Sequence, residues 1–403
     1  MASSPFGTPP LSDSDFDLSE GLGDESENTA LRSLIGDEIR DQGSITFCRF
    51  MELALYHPTE GYYNAARERI GRAGDYVTSP EISPLFGYAV ARQIAELWRC
   101  QSSPAQFPIV EYGAGNGRLA RDVIHWMAQR DPECYRSLTY TLIEISPALR
   151  AIEGESLADL AATEKLRVGG HRQDELTSCC VIANELLDSF PVHRVAMRDG
   201  TLKEVYVNLD GDALIETLGP PSTGELPAYF SRLELLPAEG CVVEVNLAVG
   251  KWLTEAAKTV PYGYVLLLDY GYAAERLYAP WRRDGTLLCY HRHSASGDPY
   301  RFLGRQDITS HVDFSSLALD ARALGFSLLG FTDQSRFLAG LGLAGQPPTR
   351  PRDENGMEEF YARRRAVEAL TDTAGLGRIG VIMLGRQAPT CDFLGFREQP
   401  NRI

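Results

Sequence analysis

From residue 109 onward the chain alternates short apolar runs with segments whose apolar positions recur every three to four residues. Strands are predicted at 109–113, 139–145, 165–169 and 179–184, with helical spacing between them. A β-branched, turn-rich stretch at 192–217 predicts antiparallel hairpins inserted after the fourth strand. "CVVEVN" (241–246), a helix to about 259 and the strand "YVLLLDYG" (264–271) follow. The pattern closes with a helix in "HVDFSSLALDARALGF", a strand near 326–331, a helix at 355–370 and the strand "RIGVIMLGR". Strand–helix alternation of this kind predicts an α/β fold: a Rossmann-like, mostly parallel, doubly wound sheet that takes its ligands at the carboxyl ends of the strands.

The region before this core reads differently. Residues 31–63 look helical, and "TSPE" looks like a helix start: Thr78 as cap, Pro80 in the first turn, and Glu81 three residues after the cap as in a capping box. Helical spacing then runs to Trp98. Residues 1–30 hold seven acids and no lysine or arginine among Ser, Pro and Gly, which predicts a disordered acidic tail. The expected organisation is therefore a tail at 1–30 and an N-terminal helical extension at 31–108. A core at 109–390 with an insertion at about 192–240 and a C-terminal tail at 391–403 complete it.

Composition narrows the function classes. A net charge of −16 argues against a surface that tracks phosphates, so no nucleic-acid partner is expected. No run of about 18 apolar residues occurs, so no membrane span is expected. The tail has neither an Arg-rich presequence composition nor an apolar signal core, which makes the cytoplasm the expected compartment. Eight cysteines without a CxxC pair suit reduced thiols, with Cys179-Cys180 as inert packing residues of a core strand.

The chemistry-bearing turn is "IVEYGAGNGRLARDVI" (109–124). Its glycines are Gly113, Gly115 and Gly117, with Ala114 between the first two, and Arg118 stands where a dinucleotide fingerprint has its third glycine. No G-K-[ST] follows, so it is not a Walker loop. Glu111 decides the ligand. Beside a pyrophosphate its charge would cost roughly 4 kcal/mol at about 4 Å and an effective dielectric near 20. Beside the sulfonium and ammonium of S-adenosylmethionine it is favourable. Glu144, followed by Ile145, ends the next strand, where an acid accepts from ribose hydroxyls. Gln173 and Asp174 follow the third strand, where an adenine edge lies. A glycine-rich turn serving packing alone is the plain alternative.

The acceptor side is read from "ANELLDSFPVH" after the fourth strand. Asn184, Glu185 and Asp188 place three polar groups within five residues, and two carboxylates three apart on a helical turn face one way and can grip a guanidinium. The alternative is a helix capped by Asn184 with acids favoured by the dipole. Asp269, Tyr270 and Tyr272 end the fifth strand. The pairs His291/His293 and His311/Asp313 lack further ligands at matching spacing, so no metal is expected; His311 is read as lining the acceptor cleft.

"GDYVTSPEIS", "VEYGAGNGRL", "IEISPALR", "ANELLDSFPVH", "LLLDYGY", "GTLLCYHRH" and "DITSHVDFSSL" occur in this order from about 74 to 331. The sequence resembles the MidA-like SAM-dependent methyltransferases on these seven blocks. The resemblance implies a class I methyltransferase fold with extra elements, and S-adenosylmethionine as cofactor. It also implies a cofactor role for Gly74, Asp75 and the segment Thr78, Ser79, Pro80 and Glu81. Mitochondrial members are linked to arginine dimethylation of a respiratory complex subunit, so the expected substrate is a protein with an accessible arginine. A small-molecule or RNA methyltransferase, and an assembly chaperone that retains the pocket, are the rivals; a homodimer stays open.

Overall fold

The computed structural model describes residues 28–64, 71, 74–169, 179–343 and 354–397. Seven strands form its central sheet: β1 (Phe107–Tyr112), β2 (Leu138–Ile143), β3 (Leu166–Val168), β4 (Cys179–Asn184), β5 (Gly263–Asp269), β6 (Ser327–Asp333) and β7 (Gly380–Arg386). Their order is β6-β7-β5-β4-β1-β2-β3. Strands β1 to β5 pair in parallel, with Val110 opposite Thr141 on one side and Val181 on the other. Only β7 runs antiparallel to both of its neighbours, as Met383 opposite Leu266 and Gly330 shows. This is the class I methyltransferase sheet, and it opens a crevice where the strand order reverses between the parallel strands β1 and β4.

Both sheet faces are covered, which is why the strands read as near-continuous apolar runs. All seven residues of β5 are buried. Ile109, Cys180 and Leu266 pack with Phe86, Ile94, Leu97 and Val123 of helices α3 (Pro84–Cys100) and α4 (Arg118–Arg130). Their neighbours Val110, Val181 and Val265 point to the other face, against Leu253 of α6 (Ala248–Thr259) and Leu317 of α7 (Phe314–Ala323). Helix α5 (Pro147–Ser156) follows β2, and α8 (Gln334–Gly340) and α9 (Glu354–Thr371) lie between β6 and β7.

The inserted hairpins form a second sheet that reaches beyond the predicted insertion. Thr201–Asp210 pairs with His193–Arg198 and Ala213–Gly219, Val242–Val245 adds beside His193–Arg198, and Ile45–Thr46 pairs with Tyr206 and Val207. Helices α1 (Thr29–Gln42) and α2 (Phe47–Tyr56) bury Leu31, Ile35, Phe47 and Phe50 with Val207, Cys289 and Ile308. The N-terminal extension thus serves the inserted sheet.

Two local readings are corrected. Thr78 makes no capping hydrogen bond, and the helix it was expected to start is only Ser79–Ile82. Pro84 disfavours the helical region at the residue before it, and Ser83 is extended with φ −170°. Ser83 then caps α3 through the Leu85 amide. The second correction concerns the thiols. Cys100 and Cys391 are joined in a disulfide across 291 residues of sequence. That separation hides the pair from spacing arguments, because it forms only once the C-terminal segment returns to the end of α3. Cys179 and Cys180 are fully buried and free.

No described helix is long and apolar enough to cross a membrane. Residues 1–27 of the predicted tail lie outside the described residues, but Asn28 does not. Its side chain accepts from the Leu31 amide at 3.0 Å and caps α1. On the acidic Ser-, Pro- and Gly-rich composition of the tail, deleting residues 2–27 is expected to leave the melting temperature unchanged. Deleting through residue 30 is expected to cost about 1 kcal/mol for the lost cap, plus the disturbance at buried Leu31. Thermal denaturation of the two truncations checks this; a large loss with the shorter deletion contradicts it.

Candidate active site

The glycine turn joins β1 to α4 in a conformation that side chains resist. Gly113, Gly115 and Gly117 have φ of 67°, 63° and 75°, the left-handed region that glycine enters freely. A Cβ on Gly113 would lie 2.6 Å from Leu186 Cδ1, and one on Gly117 2.2 Å from Leu157 Cδ1. The turn is braced from outside. Glu81 accepts from Asn116 Nδ2 at 2.8 Å and from Arg118 Nη1 at 3.3 Å.

Against this turn lies a cavity of about 310 Å³, within the size range of small-molecule sites. Of the predicted cofactor residues, Thr78, Pro80, Glu111, Gly113, Ala114, Gly115, Glu144 and Ile145 line it, and Asn184, read above on the acceptor side, lines it too. Glu111 is buried and accepts from Tyr140 Oη at 2.8 Å; burial pushes its carboxyl up to about 7. Burial also raises Glu144, which accepts from the Ser146 amide at 2.8 Å. Glu153, on α5, is pushed to about 8 by burial and by the charges of Glu144 and Glu111. A cation entering here would draw these carboxyls toward ionisation.

The cavity fits S-adenosylmethionine on its own chemistry. Two lining residues hold buried polar atoms without a partner among the described residues: Asn184 Oδ1, an acceptor, and Trp252 Nε1, a donor. An ammonium and a purine supply the groups they lack. Glu144→Ala is expected to weaken cofactor affinity by about 1–3 kcal/mol, the range for a hydrogen bond to a charged group. Calorimetry checks it, and unchanged affinity removes Glu144 from the site.

The segment after β4 is not the helical turn that the sequence suggests, and Asn184 is not a helix cap. Asn184 ends the strand, and Glu185 takes φ 51°, a strained conformation for a non-glycine residue. Only Leu187–Ser189 make a short 3-10 turn. The strain is held by several contacts. The Glu185 amide donates to Leu268 O at 2.8 Å, and its carboxylate accepts from the Ser79 amide at 2.9 Å and Asn184 Nδ2 at 3.2 Å. Asp269 accepts from the amides of Leu186 and Leu187 at 3.1 and 2.7 Å. The end of β5 therefore fixes the loop that leaves β4.

Glu185 stands between the cofactor cavity and a second cavity of about 240 Å³. Tyr63 and Tyr76 line both as well. The second cavity holds the carboxyls of Asp75, Glu185, Asp188 and Asp307 and the rings of Tyr270, Tyr290, His293 and His311. Burial pushes Glu185 up to about 7. Asp188 is 7% exposed and raised well above the carboxylate range by burial and by the charges of Asp269, Asp307 and Glu185. His311 is held down to about 3 by burial and by Arg378 and Arg282. It is therefore a neutral ring that can donate or accept a hydrogen bond, and a poor proton acceptor.

Other predicted residues land elsewhere. Asp75 lines the second cavity, accepting from Tyr62 Oη at 2.9 Å and the Arg292 amide at 2.8 Å. Gly74 lines neither cavity, and Ser79, Glu81 and Gly117 support the walls from behind. Gln173 and Asp174 lie outside the described residues. The HxH pair does not act together: the strand ends at His291, which stacks on Phe302, and His293 turns into the second cavity with φ 60°. Among the described residues no three His, Cys, Asp or Glu side chains gather as a metal set. Tyr56, Tyr63, Tyr76, Trp252 and Asp307 escaped the sequence reading, since only the fold brings them together. An aromatic cluster in "LYHPTEGYYN" was a visible sign of Tyr56 and Tyr63, while Tyr76 and Asp307 stand unassigned within two of the blocks quoted above.

Comparisons with known proteins agree with this geometry. Residues 89–332 match a family described as "Putative S-adenosyl-L-methionine-dependent methyltransferase". A mitochondrial protein arginine methyltransferase NDUFAF7 homolog of Drosophila melanogaster is 28% identical over 389 residues, covering 88% of this chain and 84% of that protein. The human mitochondrial protein arginine methyltransferase NDUFAF7 is 27% identical over 342 residues, covering 76% and 72%. A COG1565 superfamily protein from Burkholderia thailandensis, bound to S-adenosyl-homocysteine, superposes with a TM-score of 0.82 at 30% identity, covering 93% of this chain and 96% of that one. The family pattern, the sheet order and the glycine-turn cavity converge on one assignment: the chain belongs to this family of S-adenosyl-L-methionine-dependent methyltransferases, and S-adenosyl-L-methionine is its cofactor.

Proposed function

We propose that the protein transfers methyl groups to an arginine side chain of a protein substrate, with the second cavity as the acceptor site. The observation that carries this reading is the carboxyl-lined cavity joined to the cofactor cavity through Glu185. Glu185 and Asp188 present buried carboxyls to this space with tyrosine rings around them, a lining that suits a planar guanidinium. The names of the relatives from fly and human support the same acceptor.

The bound cofactor supplies an electrophilic methyl group. A guanidinium has a pKa above about 12 and poorly nucleophilic nitrogens. Asp188, whose carboxyl makes no hydrogen bond to a side chain among the described residues, can take two guanidinium N–H groups. Glu185 has one oxygen engaged by Ser79 and Asn184, which leaves the other to orient the reacting nitrogen and accept its proton. As the N–C bond forms and the C–S bond breaks, the nitrogen sheds a proton, and a carboxylate titrating near 7 can take it. Asp269 acts as a positioning residue, through the amides it holds.

Incubation with methyl-labelled cofactor and a protein extract, followed by acid hydrolysis, tests the reading. Label in methylated arginine supports it. Label in lysine, in RNA or in a small metabolite overturns the acceptor and leaves the methyltransferase.

A further inference from the structure

The second cavity carries charge in two layers. Deep inside, Asp75, Asp188 and Asp307 are 2%, 7% and 3% exposed. Arg378, by contrast, is solvent-exposed and is the only lysine or arginine among the described residues that line the cavity. It ends the short turn Leu376–Arg378, two residues before β7 begins. Its guanidinium carbon sits 5.7 Å from the Tyr270 ring centroid, and it makes no hydrogen bond or ion pair with a described side chain. The interior carboxyls do not take it up; its donors stay available toward solvent.

This placement poses a problem for a cationic acceptor. An arginine side chain drawn toward Asp188 enters a cavity whose lining includes a like charge, and like charges near a site reject as well as carboxylates attract. The conflict disappears if the substrate brings its own anion next to the arginine. Such an anion would meet a guanidinium with free N–H groups, the geometry that binds a carboxylate bidentately. A neighbouring lysine or arginine would meet only repulsion.

We propose that Arg378 is a specificity-determining residue that reads an aspartate or glutamate beside the methylated arginine of the substrate. The inference rests on the arginine acceptor proposed above. Arg378 lies outside the cofactor cavity, so it acts on substrate choice and not on cofactor binding.

The test uses the full chain and two peptides with a single arginine, identical except for glutamate or lysine on either side of it. The wild type is expected to favour the glutamate peptide in kcat/KM by about tenfold or more, the scale of one partly exposed charge contact. Arg378→Gln should bring the two peptides close to parity, and Arg378→Glu should reverse the preference. Calorimetric affinity for S-adenosyl-homocysteine should be the same in all three proteins, which also shows that each is folded. A wild type indifferent to the flanking charge, or an Arg378→Glu variant that keeps the wild-type preference, overturns the inference while arginine methylation stands. Failure of the wild type to methylate any arginine peptide overturns the acceptor assignment, and this inference with it.

Discussion

Asp188→Asn is expected to lower turnover on the native acceptor by about 10²-fold or more, the scale of losing the group that orients the reacting guanidinium, while cofactor affinity stays unchanged. The separation follows from geometry: Asp188 lines only the second cavity. Glu185→Gln should lose turnover to a similar extent. It should also shift cofactor affinity slightly, because Glu185 faces both cavities and its amide replacement can still accept from Ser79. The pH profile adds an independent readout. Glu185 titrates near 7 in the folded chain against an ordinary 4.5. Between those values the folded protein holds a proton that the unfolded chain has released. Stability without substrate therefore falls as pH rises through this window. Catalysis runs the other way, since binding a cation needs the ionised form: kcat/KM should climb with pH up to about 7 and then level. Single-turnover assays beside calorimetry check both variants. Wild-type rates in both mean that the carboxyl assignment is wrong.

Gly115→Val is expected to abolish binding of S-adenosylmethionine and of its demethylated product while the chain stays folded. Gly115 combines φ 63° with a place in the cavity wall. A β-branched side chain there is strained in the backbone and also occupies space the ligand needs. The fold should survive because Gly115 is half-buried and lines the cavity. Calorimetry beside a thermal melt distinguishes the cases. Retained affinity in a folded Gly115→Val protein contradicts the cofactor site.

Much of the sheet was legible because burial on both faces leaves a plain apolar run, as in Cys179–Asn184 and Gly263–Asp269. The glycine turn was legible because the left-handed backbone demands glycine at fixed spacing. What sequence could not supply is juxtaposition across the chain. Asp307 and Tyr63 are 244 residues apart, yet Tyr63 Oη donates to Asp307 at 2.7 Å. Trp252 reaches the cofactor cavity from a helix beyond the inserted sheet. The disulfide, the strand partner of Ile45 and the grip of Asp269 on the β4 loop are of the same kind. Ser83 is a different case: the proline after it announced the break, and the stronger capping signal at Thr78 obscured it.

The activity proposed for this protein is methyl transfer to arginine within the second cavity. Its most direct test is quantitative mass spectrometry of proteomes from cells that lack the gene, carry it, or carry the Asp188→Asn form. The expected result is a methylated arginine, in one or a few proteins, that is present with the wild-type gene and missing in the other two strains. Identical arginine methylation in all three strains, or a missing methyl group found only on lysine or on a small molecule, contradicts the claim.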